Sequence, residues 1–248
     1  MRTRLVAGNW KMNTLADEAI GLAKAIAKSA KAFGKTEVLL CPPFVWLKQV
    51  AETIKGSPIR LGAQNMIWED AGAFTGEISA PMLKSAGCQY VIIGHSERRQ
   101  FFGETDLTVN MKLHKAIKTG LTPIICLGES LQEREAGQTE RVVSTQFANG
   151  FKDFGQFERV VIAYEPVWAI GTGKTATASQ AQEIHQLLRR LLQEKTAEYA
   201  QIRILYGGSV KPDNAAELIG QEDVDGFLVG GASLKAKDFI EIVKATVI

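Results

Sequence analysis

Cysteine is scarce in this sequence: Cys41, Cys88 and Cys126 are the three it has. An odd number cannot all pair, and none of the spacings is Cys-x-x-Cys, so free thiols in a reducing compartment are expected rather than a disulfide framework. An excess of charge of one sign is missing too. The 29 basic and 27 acidic residues leave a formal charge of +2, too little for counterion-driven binding of nucleic acid, which needs a clustered basic face. Any anion bound here is therefore expected to be small and held locally. No apolar run reaches the roughly 20 residues that span a bilayer, and the basic start Met1–Asn9 has no apolar stretch of the kind a secretory signal needs. The expectation is a cytoplasmic protein with neither a nucleic-acid nor a membrane partner.

Linkers, low-complexity tracts and internal repeats are also absent, which favours one domain over residues 1–248. Hydrophobic residues make up 46% of the chain, enough to fill a large core. They fall into short runs: Leu5–Asn9, Val38–Cys41, Ile59–Ala63, Tyr90–Ile93, Pro123–Leu127, Val160–Tyr164, Ile202–Tyr206 and Phe227–Val229. Most are nearly continuous rather than alternating, as in strands buried on both faces. Between them the period becomes helical. Ala19, Leu22, Ala23, Ile26 and Ala27 form one stripe, and Ala181, Ile184, Leu187, Leu188 and Leu191 another. Thr177 with Gln180, and Ser130 with Glu133, read as capping boxes, and Gly120 as the left-handed residue that stops a helix. Strand-helix alternation repeated in this way predicts a parallel α/β sheet. The number of strands favours closure into a (β/α)8 barrel, with a ring of helices outside, and no Gly-x-Gly-x-x-Gly supports an open dinucleotide-binding sheet.

In such a barrel the residues just past the strands face the active end. Asn9-Trp10-Lys11 follows the first strand, Gly94-His95-Ser96-Glu97 the fourth, and Glu165-Pro166 the sixth. Gly207-Gly208-Ser209 follows the seventh and Gly230-Gly231 the eighth. Taken singly, a strand-end Lys or Glu is usually a solvated loop charge, a His a satisfied structural residue, and a diglycine a turn. Together they put an amide, an ammonium, an imidazole, a carboxylate and two diglycines on one face. Main-chain N–H groups bare of side chains suit a small anion such as phosphate, and Ser233 is a candidate cap for the helix after the eighth strand. The segment Pro166–Ala176 ends in Gly173-Lys174-Thr175, like a P-loop, but Trp168 stands where that motif needs its first glycine. With Trp168 and Ile170 otherwise left exposed, the segment reads better as a lid.

With these motifs the chain closely resembles the triosephosphate isomerase family from end to end. The likeness runs through Asn9-Trp10-Lys11-Met12-Asn13, Ala63-Gln64-Asn65, Gly76-Glu77-Ile78-Ser79 and Gly94-His95-Ser96-Glu97-Arg98-Arg99. It continues through Ala163–Gly173, Tyr206-Gly207-Gly208-Ser209-Val210 and Val229–Leu234. The resemblance implies a glycolytic and gluconeogenic isomerase that interconverts dihydroxyacetone phosphate and glyceraldehyde 3-phosphate with no metal or organic cofactor. The roles that follow are carried over from that family, which is a standard worked case of this chemistry. Glu165 is expected to be the base, His95 and Asn9 donors to the developing oxyanion, and Lys11 a fixed positive charge. Glu97 is expected to orient Lys11 or His95, and Ser96 to hold Glu165 when it is not engaged. Lys11, Gly171, Ser209, Gly230 and Gly231 are the expected phosphate contacts.

The stretch Asn65–Ser79 is long for a loop between strand and helix, where about 2–6 residues are usual. By itself it could be a self-packed cap over the barrel; the family likeness implies instead a homodimer in which this loop reaches the partner, with Thr75 near the partner's active end, and with Arg98 and Glu77 either meeting across the interface or solvated. Two other readings share the phosphate site: a different barrel isomerase with a ring substrate, such as a phosphoribosyl-anthranilate isomerase, and a non-catalytic protein that binds a phosphorylated ligand. Neither requires Asn9, Lys11, His95 and Glu165 together. Cys126 reads as packing, and His114 and His185 as surface or packing residues without metal-ligand spacing.

Overall fold

The computed structural model of the chain describes residues 2–171 and 174–247. Among them are eight strands: β1 (Leu5–Asn9), β2 (Glu37–Cys41), β3 (Arg60–Ala63), β4 (Tyr90–Ile93), β5 (Thr122–Leu127), β6 (Val161–Tyr164), β7 (Arg203–Tyr206) and β8 (Gly226–Val229). Their bounds depart from the apolar runs by a single residue at most, and for a physical reason. Glu37, Thr122 and Gly226 join strands because ladders are made by main chain, whatever the side chain. Ile59, Val160 and Ile202 are buried just ahead of theirs, as packing residues outside the ladder.

The strands pair in parallel and in chain order, and the last closes on the first. The seam explains a glycine. Gly226 has φ +144°, and a methyl group on it would fall 1.8 Å from the Leu5 carbonyl oxygen. Along each strand the side chains alternate. Leu5, Ala7, Leu39, Cys41, Ile92 and Cys126 belong to one apolar cluster, filling the barrel. Val6, Val38, Leu40, Val91 and Ile93 join the larger cluster under the helices.

Ten α-helices occur among the described residues: α1 (Ala16–Lys28), α2 (Leu47–Thr53), α3 (Ala80–Ser85), α4 (Ser96–Phe102), α5 (Asp106–Thr119), α6 (Leu131–Glu135), α7 (Thr139–Gly150), α8 (Ala178–Gln193), α9 (Ala215–Ile219) and α10 (Ala236–Ala245). The boxes at Ser130 and Thr177 start α6 and α8, and Gly120, at φ +76°, stops α5. On α8 the buried stripe runs Ala181, Ile184, Leu187, Leu188 and then Leu192, with Leu191 on its rim. His185 and Arg189 share that buried face. All three cysteines are buried and unpaired. No helix among the described residues is long and apolar enough to cross a membrane.

Candidate active site

A cavity of about 820 Å³ opens where β1, β4, β7 and β8 end. Asn9, Lys11 and His95 line it, together with Gly171, Ser209, Gly230 and Gly231. Glu165 lies behind this lining, its side chain against His95 and itself 1% exposed. Ser96 and Glu97 open α4 beside it.

Lys11 adopts φ +52°, a left-handed backbone that costs a non-glycine residue on the order of 1 kcal/mol or more. Two side-chain amides hold it there. Asn9 Oδ1 accepts from the Lys11 N–H at 3.0 Å, and Gln64 Nε2 donates to the Lys11 carbonyl at 2.8 Å and to the Cys41 carbonyl at 2.9 Å. The side chain then passes over Gly230, where a methyl group would lie 3.2 Å from Lys11 Cε, and its Nζ meets Glu97 Oε1 at 2.7 Å. Gln64 has no role in the sequence reading. Its signal was present, in a motif at a strand end, but nothing in the sequence says that it faces a strained backbone.

Gly94 takes φ +76°, which turns the chain out of β4 and into α4. His95 caps that helix: its Nδ1 accepts from the Glu97 N–H at 3.2 Å. A ring nitrogen can accept only when unprotonated, so the neutral ring carries its proton on Nε2. Nε2 is 2.9 Å from Glu165 Oε1, a close contact without the alignment of a hydrogen bond. The other carboxylate oxygen, Oε2, accepts from the Ser96 N–H at 2.8 Å.

Burial pulls the His95 pKa down, but the adjacent Glu165 carboxylate, with Glu97 behind it, raises it by more. The Nδ1 hydrogen bond and the positive end of α4 act in the opposite sense. The hydrogen bond settles the tautomer, and Glu165 sets the upward direction while it lies against the ring. Burial pushes the Glu165 carboxyl up, and His95, the Ser96 N–H and Lys11 together bring it below the usual carboxylate range. The carboxylate is thus ionised, buried and held on one oxygen, with no aligned donor among the described residues on the other. Such a group can take a proton from a neighbouring carbon if one is brought to it.

The glycines divide by what surrounds them. A methyl group on Gly207 would lie 3.0 Å from Glu165 Cγ, and one on Gly208 would lie 2.2 Å from the Tyr206 hydroxyl. No atom of the described residues lies within 4 Å of a methyl group on Gly231 or on Gly171, although Gly171 has φ +69°. Ser233 is not the expected cap. It lies within a 3-10 turn, Gly231–Leu234, and its hydroxyl donates to the Gly230 carbonyl at 2.6 Å.

After Glu165 the chain is tied to a residue absent from the sequence reading. Glu129, 0% exposed, accepts from the Tyr164 hydroxyl, from Trp168 Nε1 at 2.9 Å and from Arg134 at 3.1 Å, and its carbonyl accepts from the Val167 N–H at 3.1 Å. Arg134 also lies 4.8 Å over the Trp168 ring. Trp168 is therefore half-buried and engaged, unlike the exposed residue that an ordinary surface turn would leave there. Of the proposed lid, Ile170 and Gly171 line the cavity, while Thr172 and Gly173 lie outside the described residues.

In the stretch Asn65–Ser79, Asn65 is buried and accepts from Lys112 Nζ at 2.8 Å, while Phe74 and Thr75 stand exposed. Arg98, expected to meet Glu77 across an interface or to stand solvated, is occupied within its own chain by Glu104 at 2.7 Å. Among the described residues no group of three or more His, Cys, Asp or Glu side chains could hold a metal ion.

The sequence model of the triosephosphate isomerase family matches residues 4–246. A triosephosphate isomerase of Moorella thermoacetica is 54% identical over 98% of this chain and 98% of its own. One of Endomicrobium trichonymphae is 52% identical over 98% and 99%, and one of Chlorobaculum tepidum 54% identical over 97% and 99%.

Proposed function

The chain belongs to the triosephosphate isomerase family and is an isomerase of triose phosphates, and we propose that Glu165 is the base that carries its proton. The reaction interconverts dihydroxyacetone phosphate and D-glyceraldehyde 3-phosphate through an enediolate, and belongs to glycolysis and gluconeogenesis. A proton on the carbon beside a carbonyl is weakly acidic, so a positioned base and a donor to the oxygen are both needed. The observation that carries the reading is the Glu165 carboxylate, buried at 1% exposure, with Oε1 lacking an aligned donor and 2.9 Å from His95 Nε2.

Glu165 takes the proton from one carbon and returns it to the next. His95 donates from Nε2 to the oxyanion, because Nδ1 is committed to the Glu97 N–H. Asn9 has its Oδ1 on the Lys11 N–H, so its NH2 is the end turned to substrate. Lys11 supplies positive charge beside Gly230, Glu97 orients it, and Ser96 holds the base between turnovers. The phosphate is bound by Lys11 and by Gly171, Ser209, Gly230 and Gly231, chiefly through main-chain N–H groups. No cofactor enters this scheme. Neither a ring-substrate isomerase nor a non-catalytic binder requires a buried base against a donor imidazole.

The test is turnover of glyceraldehyde 3-phosphate by the purified protein and by Glu165→Asp, which keeps the charge and withdraws the carboxylate by one methylene. A fall of about 100-fold or more in kcat is expected for a base displaced by about 1 Å. Equal rates would remove Glu165 from the role.

The chain acts as one catalytic domain, in the cytoplasm, as a homodimer formed through the stretch Asn65–Ser79. Exposed Phe74, within that stretch, and exposed Met82, Phe101 and Phe102, at 42 to 68%, are apolar surface that an interface joining them would cover. Thr75→Arg should give a poorly active monomer in sedimentation; a fully active dimer would contradict the interface.

A further inference from the structure

Gln146 lies on α7, outside the barrel wall, yet both ends of its side-chain amide bind one main-chain residue. Its Oε1 accepts from the Gly128 N–H at 2.8 Å, and its Nε2 donates to the Gly128 carbonyl at 3.1 Å. This is the donor-acceptor pair that a neighbouring strand would offer. A side chain thereby carries the ladder of β5 one residue beyond Leu127.

Gly128 is where the main chain of Glu165 rests. The Glu165 N–H donates to the Leu127 carbonyl at 2.8 Å, and a methyl group on Gly128 would fall 1.8 Å from the Glu165 carbonyl oxygen. The residue after Gly128 is Glu129, which grips Tyr164 on one side of Glu165 and Val167 and Trp168 on the other. Whatever moves Gly128 therefore moves the frame of Glu165 on three sides.

We propose that Gln146 is a positioning residue for the base: by pinning both main-chain poles of Gly128, it fixes the peptide from which the Glu165 carboxylate hangs. The inference rests on the reading of Glu165 as the base. A primary amide is the side chain suited to this, because it presents a donor and an acceptor in one plane. A carboxylate could take the N–H but would oppose the carbonyl, and a thioether would leave both poles without a protein partner. The Gln146 contact is made at the end of β5, whereas Ser209, Gly230 and Gly231 follow β7 and β8, and of the proposed phosphate contacts Gly171 alone follows the segment that Glu129 grips. Its loss is therefore expected to fall on proton transfer more than on capture of the phosphate.

The experiment compares Gln146→Glu and Gln146→Met with wild type, measuring kcat and KM for glyceraldehyde 3-phosphate against pH, with melting temperature alongside. A fall of about tenfold or more in kcat is expected in both, since small displacements of a reacting group are costly, with KM within about twofold. In Gln146→Glu, protonation of the introduced carboxyl restores a donor beside an acceptor. Its kcat relative to wild type should then recover as pH falls from about 8 to about 5, while Gln146→Met should show no recovery.

A lowered melting temperature with unchanged kcat would mean a packing role and overturn the proposal, as would parallel pH profiles for the two variants. If Gln146→Met does not fold, Gln146→Glu against wild type carries the same test. An inactive wild type, or a harmless Glu165→Asp, would place the failure in the base assignment. A crippled Glu165→Asp beside a fully active Gln146→Glu would place it in the positioning role alone.

Discussion

Two clusters of buried charge stand at opposite ends of this barrel, and they are built by opposite rules. At the end where the strands begin, Arg189 spends its donors on Asp223 at 3.0 Å, Asp225 at 2.8 Å and the carbonyls of Tyr199 and Ile202 at 2.8 and 2.6 Å. Asp225 also receives Arg2 and the Ile204 N–H. Nearby, Glu37, Tyr90 and Arg203 close a second such knot. At the end where the strands finish, Glu165 has one oxygen without an aligned donor among the described residues, Lys11 sits in a strained backbone, and His95 is pulled both ways. Saturated charge resists change and stabilises; unsaturated charge is reactive and must be held by its surroundings. The same contrast fits the division of labour between the two faces of such barrels.

The largest effect should come from the reactive end. Glu165→Asp, expected to lose about 100-fold or more in kcat, should leave the melting temperature within a few degrees, because no saturated network is broken. Arg189→Met should do the reverse. Removing one partner from a buried ion pair costs about 3–5 kcal/mol, since Asp223 and Asp225 stay buried with less to satisfy them. Denaturant unfolding should show that loss while kcat of the folded protein stays within about twofold of wild type, on the view that this knot has no catalytic share. A loss of kcat equal to that of Glu165→Asp would erase the distinction between the two ends.

The two buried histidines sharpen the comparison further. His185 is 0% exposed, with Nδ1 on the Asp223 carbonyl at 3.0 Å and Nε2 without a partner among the described residues. Burial pushes its pKa down to about 4. The unfolded chain takes a proton near pH 6.5 that the folded chain refuses, so the contribution of this group is whole above that pH and is lost as pH falls toward 4. The loss is about 3 kcal/mol for a shift of this size. His95, raised in the presence of Glu165, slopes the other way: its stabilising share is present below about pH 6.5 and fades as pH rises through its folded value. Unfolding free energies at pH 7 and 4.5 should therefore converge in His185→Gln relative to wild type. An unchanged difference would mean that another group drives acid sensitivity.

Most of this architecture was legible because it depends on repeated, local signals. Buried parallel strands are continuous apolar runs, and caps such as Thr177 and Gly120 act on their own helices. The residues at the strand ends could be read because closure of the sheet brings them to one mouth whatever their spacing in the chain. What the sequence concealed was of another kind. Gln64, Glu129 and Gln146 act on main-chain groups or side chains brought near only by the fold, across 23 to 53 positions for Gln64 and 18 to 39 for the others. A lone Gln on a helix looks like any solvated polar residue until the carbonyl it faces is known. Arg98 is the converse case: its partner Glu104 is only six positions away, yet the pairing is not a regular helical spacing and so gave no local signal.

The smallest effect concerns the glycines, where one residue type serves different reasons even within the end where the strands finish. Gly226, at the closing seam, has no room for a side chain, and neither does Gly208 beside the Tyr206 hydroxyl. Gly231 has open space around it among the described residues and does not adopt a positive φ. If its share in phosphate binding lies in its N–H alone, an added methyl group keeps that donor and meets no atom. Gly231→Ala should then leave KM within about threefold, well under the roughly 1.4 kcal/mol that a tenfold change requires. Gly208→Ala should raise KM and lower stability together, because the Tyr206 ring must shift to admit it. If Gly231→Ala proved as damaging as Gly208→Ala, the phosphate would have to approach the Gly231 Cα itself, and the glycine would be needed for its bareness rather than for its N–H.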